Sequence, residues 1–291
     1  MKILVLGGTR FFGRRLVNQL LSEGHDVSIA TRGVTEDNFG DKVGRFIIDR
    51  NDADSLEKTV ENDRWDIVYD QICYSPNQAI DSCMVFDERT DKYVFTSSES
   101  VYDFSEEPLT EEDFNPFAYS ILRGDQDDFS YKEGKRIAEA ILMKASFPVV
   151  AVRFPIVLGA DDYTNRLFYY IEQVYKEKPI FLPNIKAKLS FISSEEAASF
   201  LKWAGQNDIK GPVNACSSEV SLEQLINLIE KTVNKKATII NETTEDVYSP
   251  YALPESWVMA TNKAQKAGFT FSKTEEWLPE LVEKLFEGIK K

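Results

Sequence analysis

The sequence predicts an α/β chain: a doubly wound parallel sheet with helices on both faces, followed by a smaller lobe. Three observations carry this expectation. Strand-like and helix-like segments alternate through the first half. Several of the strands are apolar on consecutive positions, as expected where both sheet faces are covered. After residue 155 the alternation loosens into shorter strands between helices. A composition of 43% hydrophobic and 28% charged residues over 291 positions supports a folded chain of one large or two coupled domains.

In order, the expected strands are 2–7 (KILVLG), 26–30 (DVSIA), 45–49 (RFIID), 66–70 (DIVYD), 92–97 (KYVFTS) and 148–153 (PVVAVR). Helical patterns fill the gaps at 12–23, 53–62, 77–88 and 129–145. Residues 103–128 are acidic, hold two prolines and lack periodicity; they read as a long loop over an active-site mouth or as a surface excursion. Beyond 155, short strands at 180–182 and 212–215 alternate with helices near 164–176, 194–204, 221–232 and 273–288. The division expected is 1–155 for a dinucleotide-binding domain and 156–291 for a substrate-binding lobe intertwined with it.

Several function classes are disfavoured. A net charge of −14 repels a phosphate backbone, so no nucleic-acid partner is expected. The three cysteines, Cys73, Cys83 and Cys216, form no CxxC pair and His25 is the sole histidine, so neither a disulfide framework nor a metal site is expected. No apolar run reaches the ~18 residues of a membrane span. A strand starting at Lys2 leaves no room for a leader, and the expected location is cytoplasmic.

Residues 4–16, LVLGGTRFFGRRL, run strand, glycine turn, helix. In that order a helix N-terminus presents backbone N–H groups and its dipole to a pyrophosphate. Gly7 allows the tight turn, Gly8 adds freedom, and Gly13 lets the helix pack close to the strand. With Thr9, Arg10, Phe11 and Phe12 they form the candidate cradle. The second strand ends in Thr31-Arg32 with no acid to take a free ribose hydroxyl; Arg32 suits a 2′-phosphate, and Arg10 either reaches the same phosphate or is a solvated surface charge. The third strand ends in Asp49-Arg50, where Asp49 either accepts from an adenine amino group or shapes a turn.

The catalytic candidates lie further on. In SYKEGKRIAE, Tyr131 and Lys135 share one helix face at i and i+4. A phenol of pKa about 10 is a poor acid–base at neutral pH, and a neighbouring ammonium or cationic nicotinamide favours its phenolate. In YVFTSSESVY a strand runs into hydroxyls, and Ser98 is placed to hydrogen-bond a reacting oxygen.

This ordered set resembles the short-chain dehydrogenase/reductase superfamily, in its extended, NAD-dependent epimerase/dehydratase-like branch. GGTRFFG stands at the family's GxxGxxG, VFTSSESVYDF at the strand ending SS-x-x-VYG, YKEGK at YxxxK, and VAVRFPIVLGADDYTNR at RPxxVxGP with its following stretch. SFISSEEAA and GPVNACS resemble later landmarks, and WDIVYDQICYSP resembles the loop after the fourth strand.

The resemblance implies a Rossmann-type fold and an NAD(P)-dependent oxidoreductase or epimerase acting on a hydroxyl or carbonyl carbon of a small molecule, such as a nucleotide sugar. Ser98, Tyr131 and Lys135 would be catalytic, Tyr131 and Lys135 would also face the nicotinamide end, and Gln71 and Ile72 would lie along the cofactor. Tyr163, Asn165 and Arg166 are substrate candidates; Arg166 either grips an anionic group or pairs with Asp161 or Asp162. Arg10 replaces the central glycine, as in an atypical subgroup carrying GGTRFxG, and Thr31 replaces the acid, which moves the expected cofactor from NAD towards NADP. Leu189, with Lys188 beside it, stands where sugar-nucleotide epimerases carry an arginine for the substrate diphosphate. Dimerisation is common in the family, but the helix at 77–88 that would carry it is short and mixed, so a homodimer stays open. The rival reading is a non-catalytic member of the same fold that senses nucleotides or binds RNA.

Overall fold

The computed structural model describes residues 1–61, 63–242 and 249–290. The last residue of the expected helix 53–62, and 243–248 and 291 of the expected second lobe, lie outside them. Seven parallel strands form the main sheet: β1 (Lys2–Leu6), β2 (Asp26–Thr31), β3 (Gly44–Ile47), β4 (Ile67–Asp70), β5 (Tyr93–Ser98), β6 (Val149–Phe154) and, later in the chain, β10 (Gly211–Asn214). Their order is β3-β2-β1-β4-β5-β6-β10. The chain winds outward from β1 in one direction and then returns to start again at β4. That reversal opens a crevice at the carboxyl ends of β1 and β4, where such sheets take their ligands.

One face of the sheet is covered by α1 (Phe11–Ser22) and α6 (Ser194–Gln206), the other by α2 (Ala53–Glu57), α3 (Pro76–Val85) and α4 (Tyr131–Leu142). Helical spacing explains the faces: Leu16, Val17 and Leu20 of α1 are buried on one side, and Ile137, Ala138, Ile141 and Leu142 of α4 on the other. Side-chain caps fix where helices begin, with Ser75 accepting from Gln78 N at 3.3 Å and Ser130 from Glu133 N at 3.2 Å.

The second lobe holds β7 (Ile156–Leu158), β9 (Lys188–Ser193) and β11 (Glu219–Ser221) in one small sheet, and β8 (Pro179–Phe181) with β12 (Thr238–Ile240) in another. Around them pack α5 (Arg166–Tyr175), α7 (Leu222–Val233) and α9 (Thr274–Ile289), with α8 (Asn262–Lys266) returning to the main sheet near β10. Among the described residues no helix is long and apolar enough to cross a membrane.

Two expectations change. The strand foreseen at 212–215 is no part of the small lobe: β10 extends the main sheet, paired parallel to β6. A four-residue apolar stretch carries no mark of which sheet it joins. The loop at 103–128 contains single turns at Glu111–Asp113 and Gln126–Asp128, and it is anchored. Arg153, fully buried in β6, donates to the carbonyls of Glu111 at 3.0 Å and Phe114 at 2.9 Å and to Tyr102 Oη at 2.7 Å, and pairs with the equally buried Glu139 of α4. Asn214 Nδ2 donates to Leu109 O at 3.0 Å, and Leu109 bridges to Met259.

Candidate active site

The glycine turn sits at the crevice between β1 and β4. Gly7 and Gly8 take φ of +96° and +87°, a region side chains avoid. Arg10 adopts an ordinary extended conformation, φ −128° and ψ 154°, just ahead of α1, so a side chain is tolerated there at no backbone cost. The left-handed conformation falls instead on Phe11, φ +49°, at a cost of about 1–2 kcal/mol. Its ring is buried and meets Tyr163 edge-on at 6.3 Å, tying the turn to the loop after β7. A β-carbon at Gly13 would stand 2.1 Å from Gln71 Oε1 and 3.2 Å from Gly8 Cα, so this glycine makes room for Gln71 as well as for the turn.

The side chains of Arg10 and Arg32 are exposed and make no hydrogen bond or ion pair among the described residues. Thr31 Oγ1 accepts from Gly33 N at 3.2 Å. Asp49 shapes a turn, accepting from Asn51 N at 3.0 Å. Arg50 turns inward: 6% exposed, it donates to Asp70 at 2.9 Å, Gln78 O at 2.8 Å and Ser82 at 2.6 Å. These bonds tie the segment after β3 to β4 and α3. Ile72 lies over Gly7, its Cγ2 3.1 Å from where a β-carbon would be.

Tyr131 opens α4 and is 55% exposed, while Lys135, one turn on, is 1% exposed. Lys135 Nζ donates to the carbonyls of Cys73 and Thr96, both at 2.8 Å. It lies 4.5 Å from the Tyr74 ring centre and 5.9 Å from that of Tyr131. Gly134 lets α4 come this close, since a β-carbon there would stand 2.6 Å from Tyr74 O. Ser98 ends β5 two residues beyond Thr96, and its hydroxyl accepts from Ser100 N at 3.1 Å, leaving its own proton free to donate.

Beside Tyr131 opens a cavity of about 590 Å³ between the start of the anchored loop and the second lobe, walled by Tyr102, Phe104 and Trp257. Tyr163, Asn165 and Arg166 lie exposed on the loop after β7 and at the start of α5. Arg166 pairs with neither Asp161 nor Asp162: Asp161 takes Arg14 at 2.7 Å and Arg15 at 2.9 Å, and Asp162 caps Thr164. Its charge acts on Glu99.

Glu99, Tyr74, Phe104 and Trp257 were absent from the sequence-based set. Glu99 hides as a variable position inside SSESVY, and Trp257 comes from a distant segment with no local signal. Glu99 is 4% exposed, and burial pushes its carboxyl well above the ordinary range, against the pull of Arg166 and of a hydrogen bond from the Ile156 backbone. The three thiols are free; burial pushes those of Cys73 and Cys216 up to about 12. Among the described residues no group of three His, Cys, Asp or Glu side chains is placed to hold a metal ion.

The sequence model of the NAD dependent epimerase/dehydratase family matches residues 3–79. A curated relative, the chloroplast stem-loop binding protein of 41 kDa b of Arabidopsis thaliana, is 26% identical over 234 residues, 75% of this chain; the chain spans 59% of that protein's length. UDP-glucose 4-epimerase of Thermotoga maritima, solved with UDP-glucose, is 15% identical and superposes with a TM-score of 0.74, covering 100% of this chain and 99% of its own. The Bordetella bronchiseptica enzyme WbmG, solved with NAD, is 14% identical with a TM-score of 0.76 over 100% and 94%. By sequence, residues 3–79 match the NAD dependent epimerase/dehydratase family model, and over its whole length the chain shares the fold of these two solved enzymes.

Proposed function

We propose that the chain is a nicotinamide-dinucleotide-dependent oxidoreductase or epimerase acting on a hydroxyl-bearing or carbonyl carbon of a small molecule. The observation that carries this reading is the burial of Lys135 against two carbonyls directly beneath Tyr131, beside the end of β5 and next to the crevice at the glycine turn. The residues fit a dinucleotide: two left-handed glycines leave the turn's backbone open to a pyrophosphate, and Arg10 and Arg32 stand unpaired beside it.

When bound, the nicotinamide accepts or gives a hydride. The chain's own residues supply the rest. Tyr131, exposed at the cavity, exchanges the proton of the reacting hydroxyl. Ser98 donates to the same oxygen and fixes its direction. Lys135 keeps a positive charge on the buried side of Tyr131; with two of its protons on carbonyls, at most one is left for a ribose hydroxyl. The second lobe, through Tyr163, Asn165 and Arg166, closes over the remainder of the substrate. NADP is favoured over NAD, because both free arginines suit a 2′-phosphate and no acid follows β2.

Titration with NAD(H) and NADP(H), followed by tryptophan fluorescence, tests this reading. Tighter NADP(H) binding is expected. Tighter NAD(H) binding removes the phosphate role from Arg10 and Arg32 and keeps the enzyme; binding of neither overturns the proposal. Tyr131→Phe should retain dinucleotide binding and lose turnover by about 10²–10⁴-fold. One observation favours a second reading: the curated relative is named for binding a stem-loop. A net charge of −14 opposes it. A salt-sensitive gel shift of a stem-loop RNA would restore it.

A further inference from the structure

An ammonium buried as deeply as that of Lys135 is costly unless hydrogen bonds and the negative faces of rings meet its charge. Two of its protons go to the carbonyls of Cys73 and Thr96. Three rings stand around Nζ, with centres at 4.5 Å for Tyr74, 4.8 Å for Phe95 and 5.9 Å for Tyr131. Phe95 is sealed in the core, whereas Tyr74 and Tyr131 keep some exposure. Of the two rings that water reaches, Tyr74 is the nearer to the ammonium.

Tyr74 is held in place at every end. Its backbone N–H donates to Gln78 Oε1 at 2.7 Å, and its hydroxyl donates to Gln71 O at 3.3 Å. Its carbonyl lies against Gly134 of α4, and its ring is 6.4 Å from that of Tyr131. One fixed side chain therefore reaches from the Lys135 ammonium to the residue beside the glycine turn.

Resting on the reading of Tyr131 as the catalytic acid–base, we propose that Tyr74 is a positioning residue, whose ring keeps water off the Lys135 ammonium so that its charge acts undiluted on the Tyr131 oxygen. Water let in beside the ammonium would weaken that attraction, since two charges attract about fourfold less at a dielectric constant of about 80 than at about 20. Loss of the ring also removes a negative face from the ammonium.

Other ionisable groups face the pair. Burial pushes the Tyr74 phenol well above its ordinary value and the Cys73 thiol up to about 12. Asp70, at the end of β4, is paired with Arg50, and Lys132, on α4, with Asp103. Tyr163, on the loop after β7, is exposed and contributes equally to the paired samples compared below.

Ultraviolet titration of phenolate tests the proposal without substrate or dinucleotide. The difference between each protein and the same protein carrying Tyr131→Phe isolates the Tyr131 phenolate as pH rises. Tyr74→Phe keeps the ring and should leave the midpoint in place. Tyr74→Leu and Tyr74→Met should raise it by about one pH unit, which is about tenfold less phenolate at a fixed pH below the midpoint. Lys135→Met should raise the midpoint by itself, and Tyr74→Leu should then add no further shift, because the ring acts through the ammonium. An unmoved midpoint in the Leu and Met variants, an equal shift in Tyr74→Phe, an unmoved midpoint in Lys135→Met, or an additive shift in the double variant overturns the proposal. Dinucleotide titration of the same samples reports separately: absence of binding in wild type defeats the proposed function, while the phenolate midpoint still reads the Tyr74–Lys135 contact.

Discussion

At the glycine-turn end of the cleft, Arg10 and Arg32 stand exposed with no ion pair among the described residues, whereas at the Tyr131 end Lys132, Arg136 and Arg153 are all committed to partners. The first pair costs the fold nothing, because water solvates both guanidinia. Under the proposed function, their use comes from a ligand that brings negative charge. The second group holds the structure together: Arg153 fastens the loop to the sheet, and Arg136 with Lys132 fastens its first residues to α4. On that proposal the contrast separates charge kept for binding from charge spent on shape.

The sharpest way to break it is to exchange the consequences. Arg153→Met removes one partner of an ion pair with neither side chain exposed and strands the Glu139 carboxylate, which should cost about 3–5 kcal/mol of stability. Urea unfolding measures it. A loss under about 1 kcal/mol, the range of exposed pairs, would show that the network does not hold the loop. Arg32→Ala should leave unfolding within about 0.5 kcal/mol of wild type. It should weaken NADPH by roughly 10–150-fold, the worth of a charge-assisted hydrogen bond of about 1.5–3 kcal/mol, and leave NADH unchanged. Equal weakening of both dinucleotides would remove the 2′-phosphate role.

Glu99 belongs to neither group. It is a buried carboxyl whose Oε2 lacks a hydrogen-bond partner among the described residues, and burial, by disfavouring the ion, raises its pKa well above the ordinary glutamate range. The unfolded chain releases this proton near the ordinary glutamate value, while the folded chain releases it only at higher pH. The unfolded state then binds fewer protons, and stability falls as pH rises from that ordinary value towards the raised folded one. Glu99→Gln keeps the shape and has no proton to lose. Its melting temperature should exceed that of wild type by several degrees at pH 8, with the gap closing towards pH 5. A gap independent of pH would mean that the carboxyl is ionised in the fold.

How much of this was legible in the sequence follows from what each signal depends on. The six strands of the expected sheet, the glycine turn and the Tyr131–Lys135 pair rest on local periodicity, and all of these elements formed. The second-sheet strands β7, β9 and β11 pair across segments about 29–35 positions apart, so no local pattern marks them. The inward turn of Arg50 was hidden for a related reason. This arginine follows a strand at the cofactor edge, yet Asp70, Gln78 and Ser82 converge on it from β4 and α3, and only the tertiary fold brings them there. Phe104 lies in the first half of the chain and Trp257 near its end, and the two rings meet only at the cavity.

The weakest charges in the comparison bridge the two lobes. Arg14 and Arg15 on α1 both reach Asp161, and Arg15 Nε also reaches Glu195 at 2.8 Å. Asp161 sits two residues before Tyr163, whose ring meets Phe11 of the glycine turn, so one short loop is tied to the turn by both charge and ring contact. The side chains of Arg14 and Asp161 are 41% and 30% exposed, which places the pair among those worth about 0–1 kcal/mol. Asp161→Asn should therefore cost under about 1 kcal/mol, and the loss should fade in about 1 M salt, where the Debye length falls to about 3 Å. The Phe11–Tyr163 contact carries no charge and keeps its strength in salt. A loss from Asp161→Asn that persists at high salt would mean that Asp161 holds the loop by hydrogen-bond geometry, and the bridge would then belong with Arg153 rather than with Arg32.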